Sequence, residues 1–88
     1  MSEPNNVSVV ARVRKVREQL HELTGCEPVS TSGLARVNDG WELAVDVVEV
    51  RRVPDTASLL ATYRVTTDES GDVAGYERVR RFNRGEAD

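Results

Sequence analysis

The chain has 88 residues, with 12 Lys plus Arg against 15 Asp plus Glu, one His, one Cys and 39% apolar residues. That length suits a single domain: a chain this small buries only about 60 to 65% of its unfolded surface, which excludes a second core and a deep cofactor chamber. The net charge of −3 argues against general affinity for nucleic acid or anionic lipid, since both require excess positive charge.

The lone cysteine, Cys26, permits no internal disulfide. Small secreted domains usually depend on several, so a reducing, cytoplasmic setting is expected. Residues 1–6 are polar and read as a disordered N-terminus. No run approaches the roughly 20 apolar residues that span a bilayer, so no membrane partner is expected. Val occurs fifteen times, Leu six times and Ile never, and the branched Cβ of valine favours strands.

Val9, Val13, Val16, Leu20 and Leu23 are spaced 4, 3, 4, 3 and predict an amphipathic helix from about Ser8 to Thr24. Asn5 or Asn6 can cap its start, and Gly25 supplies the left-handed residue that ends it. Beyond Pro28 the period becomes two. Val29–Val37 reads as a first strand, and Asn38, Asp39 and Gly40 as a hairpin turn. Trp41, Leu43, Val45 and Val47 then alternate with Glu42, Ala44, Asp46 and Val48 in a longer strand ending near Val53. The alternation blurs at Val47–Val48. Either a bulge turns Val48 and Val50 inward, or no bulge exists and both sit on the outer face.

Pro54 to Ser58 turn the chain. A third strand follows, with Leu59, Ala61, Tyr63 and Val65 predicted inward. Asp68 to Gly71 form the next loop, Val73–Phe82 the fourth strand, and residues 84–88 a polar tail. Short connections make the strands antiparallel neighbours. The expected architecture is α+β: one domain over residues 7–83, with an N-terminal amphipathic helix on a four-stranded antiparallel β-meander, cystatin-like in layout.

Chemistry is sparse in this composition. One Cys and one His cannot supply a usual zinc set, so neither metal nor cofactor is expected. His21 falls at the edge of the helical stripe, and Cys26 follows the helix C-terminus, away from the positive end that would activate a thiol. Asp46 and Glu49 read as cross-strand ion-pair partners. With no phosphate loop, nucleophile elbow or metalloprotease helix, no catalytic residue and no small-molecule substrate are expected.

Arginine carries more information. Arg51, Arg52, Arg64, Arg78, Arg80 and Arg81 fall on three adjacent strands. Simple alternation sets Arg64 outward with Leu60 and Thr62, and places Tyr76, Arg78, Arg80 and Phe82 beside them on the same outer face. Arg and Tyr are enriched at interface hot spots because they join broad packing surface to directional hydrogen bonds. The bland alternative is a solvated face whose arginines pair with Glu42, Asp46 and Glu77. A small RNA-binding or regulatory module is the other option. Nucleic acid is disfavoured by the acidic balance and the few aromatics.

Gly40-Trp41, Val47-Val48-Glu49, Arg52-Val53-Pro54-Asp55-Thr56, Leu60-Ala61-Thr62-Tyr63, Gly75-Tyr76 and Arg78 through Arg84 together resemble the gas vesicle protein O family. The resemblance covers residues 28 to 85 in order and spacing. Phe82 departs from it, standing where a tyrosine is expected. It implies a non-enzymatic accessory protein of gas vesicle formation, cytoplasmic and associated with the vesicles. Its implied partners are other gas vesicle proteins, with a weak homodimer also open. The motif positions Trp41, Arg52, Pro54, Asp55, Tyr63, Tyr76, Arg78 and Arg81, with Arg64 and Arg80 from the arginine face, form the expected partner-binding set.

Overall fold

A computed structural model describes the backbone of residues 5–86 and the side chains of residues 9–85. Residues 1–4 and 87–88, and the side chains of Asn5 and Asn6 proposed as caps, lie outside the described residues. Helix α1 spans Asn5–Thr24, starting three residues before the expected Ser8. It ends where predicted. Gly25 takes φ 74° and its N–H donates to the His21 carbonyl at 2.7 Å, a left-handed termination that costs a side-chain-bearing residue more than glycine.

Four strands follow: β1 Glu27–Val37, β2 Gly40–Val50, β3 Leu59–Thr67 and β4 Val73–Asn83. They form one antiparallel sheet in the order β1-β2-β3-β4, so the α+β helix-on-meander layout holds. Short 3-10 turns occupy Asp55–Ala57 and Arg84–Glu86, the second within the stretch read as a polar tail. Gly40 sits against β3, where any Cβ would collide with the Thr67 carbonyl oxygen.

Residues directly opposite across antiparallel strands point to the same face. On the helix side the cross-strand rows are Leu43–Val65–Tyr76, Val45–Tyr63–Arg78 and Val47–Ala61–Arg81. The outer rows are Ala44–Arg64–Glu77, Asp46–Thr62–Arg80 and Val48–Leu60–Phe82. Register shifts interrupt this pattern at three places that fix the faces: Glu49 in β2, and Ala74 and Val79 in β4. Each is one extra residue, and each inverts the alternation beyond it. The question at Val47–Val48 resolves as a mixture. Val48 is outward yet buried beside Leu60, while Val50, past the Glu49 bulge, pairs with Leu59 on the helix side.

The core lies between α1 and the sheet: Val16 and Leu20 from the helix, Leu43, Val45 and Val47 from β2, Ala61 and Val65 from β3. Only part of the predicted helical stripe is used. Val13 packs at the core margin, whereas Leu23 is 53% exposed. Polar clamps fix the helix at its flanks. Arg12 donates to the Glu69 carbonyl at 2.9 Å, and Gln19 accepts from the Val73 N–H at 2.7 Å. Lys15 pairs with Asp72 at 2.8 Å, and on the opposite flank Arg17 donates to the Pro28 carbonyl. The receiving loop is rigid in its own right, because Asp68 Oδ1 accepts from the N–H groups of Ser70 and Asp72 and from the Ser70 hydroxyl.

Leu20 has no exposed surface, so Leu20→Ala should cost about 2 to 5 kcal/mol in urea denaturation. Leu23→Ala, on the same sequence stripe, should change stability by no more than about 0.5 kcal/mol. Equal losses at the two positions would contradict this placement of the helix.

Candidate functional site

The ten residues expected to bind a partner fall into separate places. Trp41 lies on the helix side of β2, half-buried, with the guanidinium groups of Arg12 and Arg36 at 5.2 and 5.1 Å from its ring. Arg52, Pro54 and Asp55 belong to the β2–β3 connection. There the buried Ser58 hydroxyl accepts from the Arg52 N–H at 2.9 Å, and Asp55 pairs with Arg84 at 3.2 Å and Arg51 at 3.7 Å. These contacts explain the turn residues as staples of the connection.

Arg64 and Arg80 are on the outer face, as alternation predicted. Arg64 bridges Glu42 at 3.4 Å and Glu77 at 3.0 Å, tying three strands in one charge row. Asp46 accepts hydrogen bonds from Thr62 and Ser30 and forms no ion pair among the described residues, in contrast to the expected cross-strand pair. Arg80 stacks 4.2 Å above Phe82. This face largely satisfies its own charges, the ordinary condition of a solvated sheet surface.

Tyr76 and Arg78 do not join it, and the single outer face of Tyr76, Arg78, Arg80 and Phe82 is corrected here. The extra residue Ala74 inverts the phase of β4, turning Tyr76 and Arg78 to the helix side, and Val79 inverts it back for Arg80 and Phe82. Four motif positions of β3 and β4, Tyr63, Tyr76, Arg78 and Arg81, therefore share the helix-side face, on which Trp41 of β2 also lies. Tyr63 and Tyr76 contact at 5.9 Å between ring centroids, tilted by 47°, a favourable aromatic geometry.

Glu49 organises this group. It is the extra residue between the Val48–Leu60 and Val50–Leu59 pairs, and its side chain reaches across β3 to β4, where Arg81 pairs with the small Ala61. Its carboxylate accepts from Arg81 Nε at 2.8 Å and Arg78 at 3.0 Å. The Glu49 side chain is only 11% exposed, against 45% for Arg78 and 53% for Arg81. Burial alone pushes its carboxyl up, but the hydrogen bonds and charges of Arg81 and Arg78 overcome that and hold it below the usual glutamate range. Burial, then the Glu49 charge, raises the Tyr63 phenol, which stays protonated. Sequence reasoning read Glu49 as an ion-pair residue and omitted it from the partner-binding set. The blurred alternation beside it was the signal of the bulge that gives it this role.

The arrangement offers guanidinium donors and tyrosine surface on an open sheet face. Among the described residues, no group of three or more His, Cys, Asp or Glu is placed to hold a metal ion. No described helix is long and apolar enough to cross a membrane.

Fold and face together define a small α+β protein bearing an exposed arginine and tyrosine surface built around one largely buried carboxylate. The chain matches the family described as "Gas vesicle synthesis protein GvpO" over residues 1–88, and it belongs to that family. It is 56% identical over 70 residues to a gas vesicle protein O from a Streptomyces strain, covering 80% of this chain and 55% of that one. Gas vesicle protein O1 of Halobacterium salinarum is 45% identical over 49 residues, 56% of this chain and 41% of its own. Gas vesicle protein O of Haloferax mediterranei is 39% identical over 77 residues, 86% of this chain and 54% of its own. The chain thus spans about half the length of the curated relatives it matches. No solved structure matches it.

Because the folded value of Glu49 is depressed, its stabilisation is present above the ordinary glutamate value, about 4.3. It is lost as pH falls through the lower folded value. Asp68 and Asp72 are also depressed, by the Ser70 and Lys15 contacts respectively, so the comparison must be with Glu49→Gln. Urea titrations between about pH 3 and 6 should show a shallower acid loss of stability in Glu49→Gln than in the parent. Parallel curves would remove the charged hub.

Proposed function

We propose that the protein is a non-enzymatic accessory factor in gas vesicle formation, which binds other gas vesicle proteins and assists nucleation or assembly of the vesicle shell. It acts in the cytoplasm, at the growing vesicle. The observation that supports this reading is the gathering of Tyr63, Tyr76, Arg78 and Arg81 around Glu49 on an open face. These residue types carry binding energy in interfaces. Open sheet surface presents them to a macromolecule, where chemistry on a small substrate would favour an enclosing pocket.

The sheet edges suit a face-on mode of docking. The β1 edge carries Pro28 and register shifts near Val29 and Gly33, and β4 carries bulges and arginines. Such features oppose strand-to-strand pairing, so self-association through the edges is weak and the face is left to the partner.

Tagged protein co-expressed with each gas vesicle protein in turn should co-purify with at least one of them. Tyr76→Ala should weaken that capture by roughly tenfold, the usual scale for an interfacial tyrosine, while Arg64→Gln on the outer face leaves it intact. Failure to capture any gas vesicle protein would refute the reading, and equal effects of the two substitutions would refute the face.

A further inference from the structure

We infer that the helix-side face of β4 docks an acidic segment of a partner protein, in which carboxylates engage Arg78 and Arg81 and an adjacent apolar side chain packs on Tyr76. The inference rests on the docking role proposed above and names the chemistry of the partner.

Charge and exposure select that occupant. The chain is acidic overall, at −3, yet this face is locally cationic: two guanidinium groups stand against one carboxylate. Glu49 takes Nε of Arg81 and one terminal nitrogen of Arg78. Each guanidinium has five N–H donors in a planar fork, so most of them stay available on side chains about half exposed. Held by a buried anchor, the forks lose less freedom on binding than free surface arginines would. Tyr76 is 42% exposed, and Val50, next to Glu49 in β2 and on the helix side, is exposed as well. Donors for carboxylate therefore lie beside apolar surface.

The same arrangement separates a protein partner from RNA. A phosphate backbone is held by several uncompensated cations, whereas this face carries a fixed carboxylate and a balance of only one positive charge among Glu49, Arg78 and Arg81. Arg80, which has no carboxylate partner among the described residues, lies on the opposite face over Phe82 and cannot add to it.

Glu49 has a double effect with a distinctive consequence. It positions the arginines and also cancels one of their charges, so neutralising it should speed association with an acidic partner. A purely structural ion-pair network makes no such prediction.

The test is fluorescence anisotropy with a labelled dodecapeptide of Glu, Leu and Ser, and its Lys-for-Glu counterpart. Folding of each variant is verified by circular dichroism. The acidic peptide should bind, weakening with salt. Arg78→Gln plus Arg81→Gln should reduce affinity at least ~10-fold, Glu49→Gln should raise the association rate several-fold, and Arg64→Gln should change neither. The assignment is overturned if the folded double variant binds like the parent, if the lysine peptide binds equally, or if a single-stranded RNA oligonucleotide displaces the acidic peptide. Applied to co-purification, the double variant separates the two proposals. Undiminished capture of a gas vesicle protein keeps the docking role and overturns the acidic partner. No capture by the parent, with the peptide results intact, overturns the role and supports the acidic-segment site.

Discussion

One helix cannot cover four strands. A helix with its side chains is about 10 Å across, while four strands at about 4.8 Å spacing make a sheet nearly twice as wide. In this protein α1 seals the sheet with Val16 and Leu20 and is pinned at its flanks by Arg12, Lys15, Gln19 and Arg17. What it leaves open on its own side of the sheet is the neighbourhood of Tyr76, Arg78 and Arg81. That open strip borders the core, so its residues are half-anchored, which distinguishes it from the self-paired outer face.

Glu49 shows why such a strip can stay ordered without a covering layer. A carboxylate this buried would be costly alone, and removing its partners would leave it uncompensated. Two arginines from the edge strand repay that cost and are themselves immobilised. The hub thus fastens β4 to β2 across β3 through side chains, in addition to the backbone ladder. On the other face Arg64 links Glu42 and Glu77 in a similar way, but with side chains between 36 and 64% exposed these charges are weakly coupled. The two charge groups are inverse in composition, one carboxylate between two arginines against one arginine between two carboxylates, and only the first has a largely buried centre, with Glu49 11% exposed.

Much of this was legible in the residues. The 4, 3, 4, 3 spacing of Val9 to Leu23 marked the helix, Gly25 its end, and the turn residues around Gly40, Pro54 and Gly71 the strand boundaries. The motif strings marked the family. The distribution of the arginines was not legible, because a strand's facing depends on counting by twos, and one inserted residue reverses every later assignment. Ala74 and Val79 have side chains that suit a regular strand as well as a bulge, so nothing in their identity announces the two phase changes. Only at Val47–Val48 did the hydrophobic pattern itself falter.

The sequence by itself determined the α+β layout, the order of its elements and its kinship, since these follow from local periodicity, turn chemistry and motif order. It also drew attention to the arginines and tyrosines, whose role in docking is a proposal. The tertiary structure decided which of them lie together. Pairing across three strands, with extra residues at Glu49, Ala74 and Val79, placed Tyr76, Arg78 and Arg81 beside Tyr63 and sent Arg64 and Arg80 to the opposite face. Register is a relation between strands, and no single strand's sequence contains it.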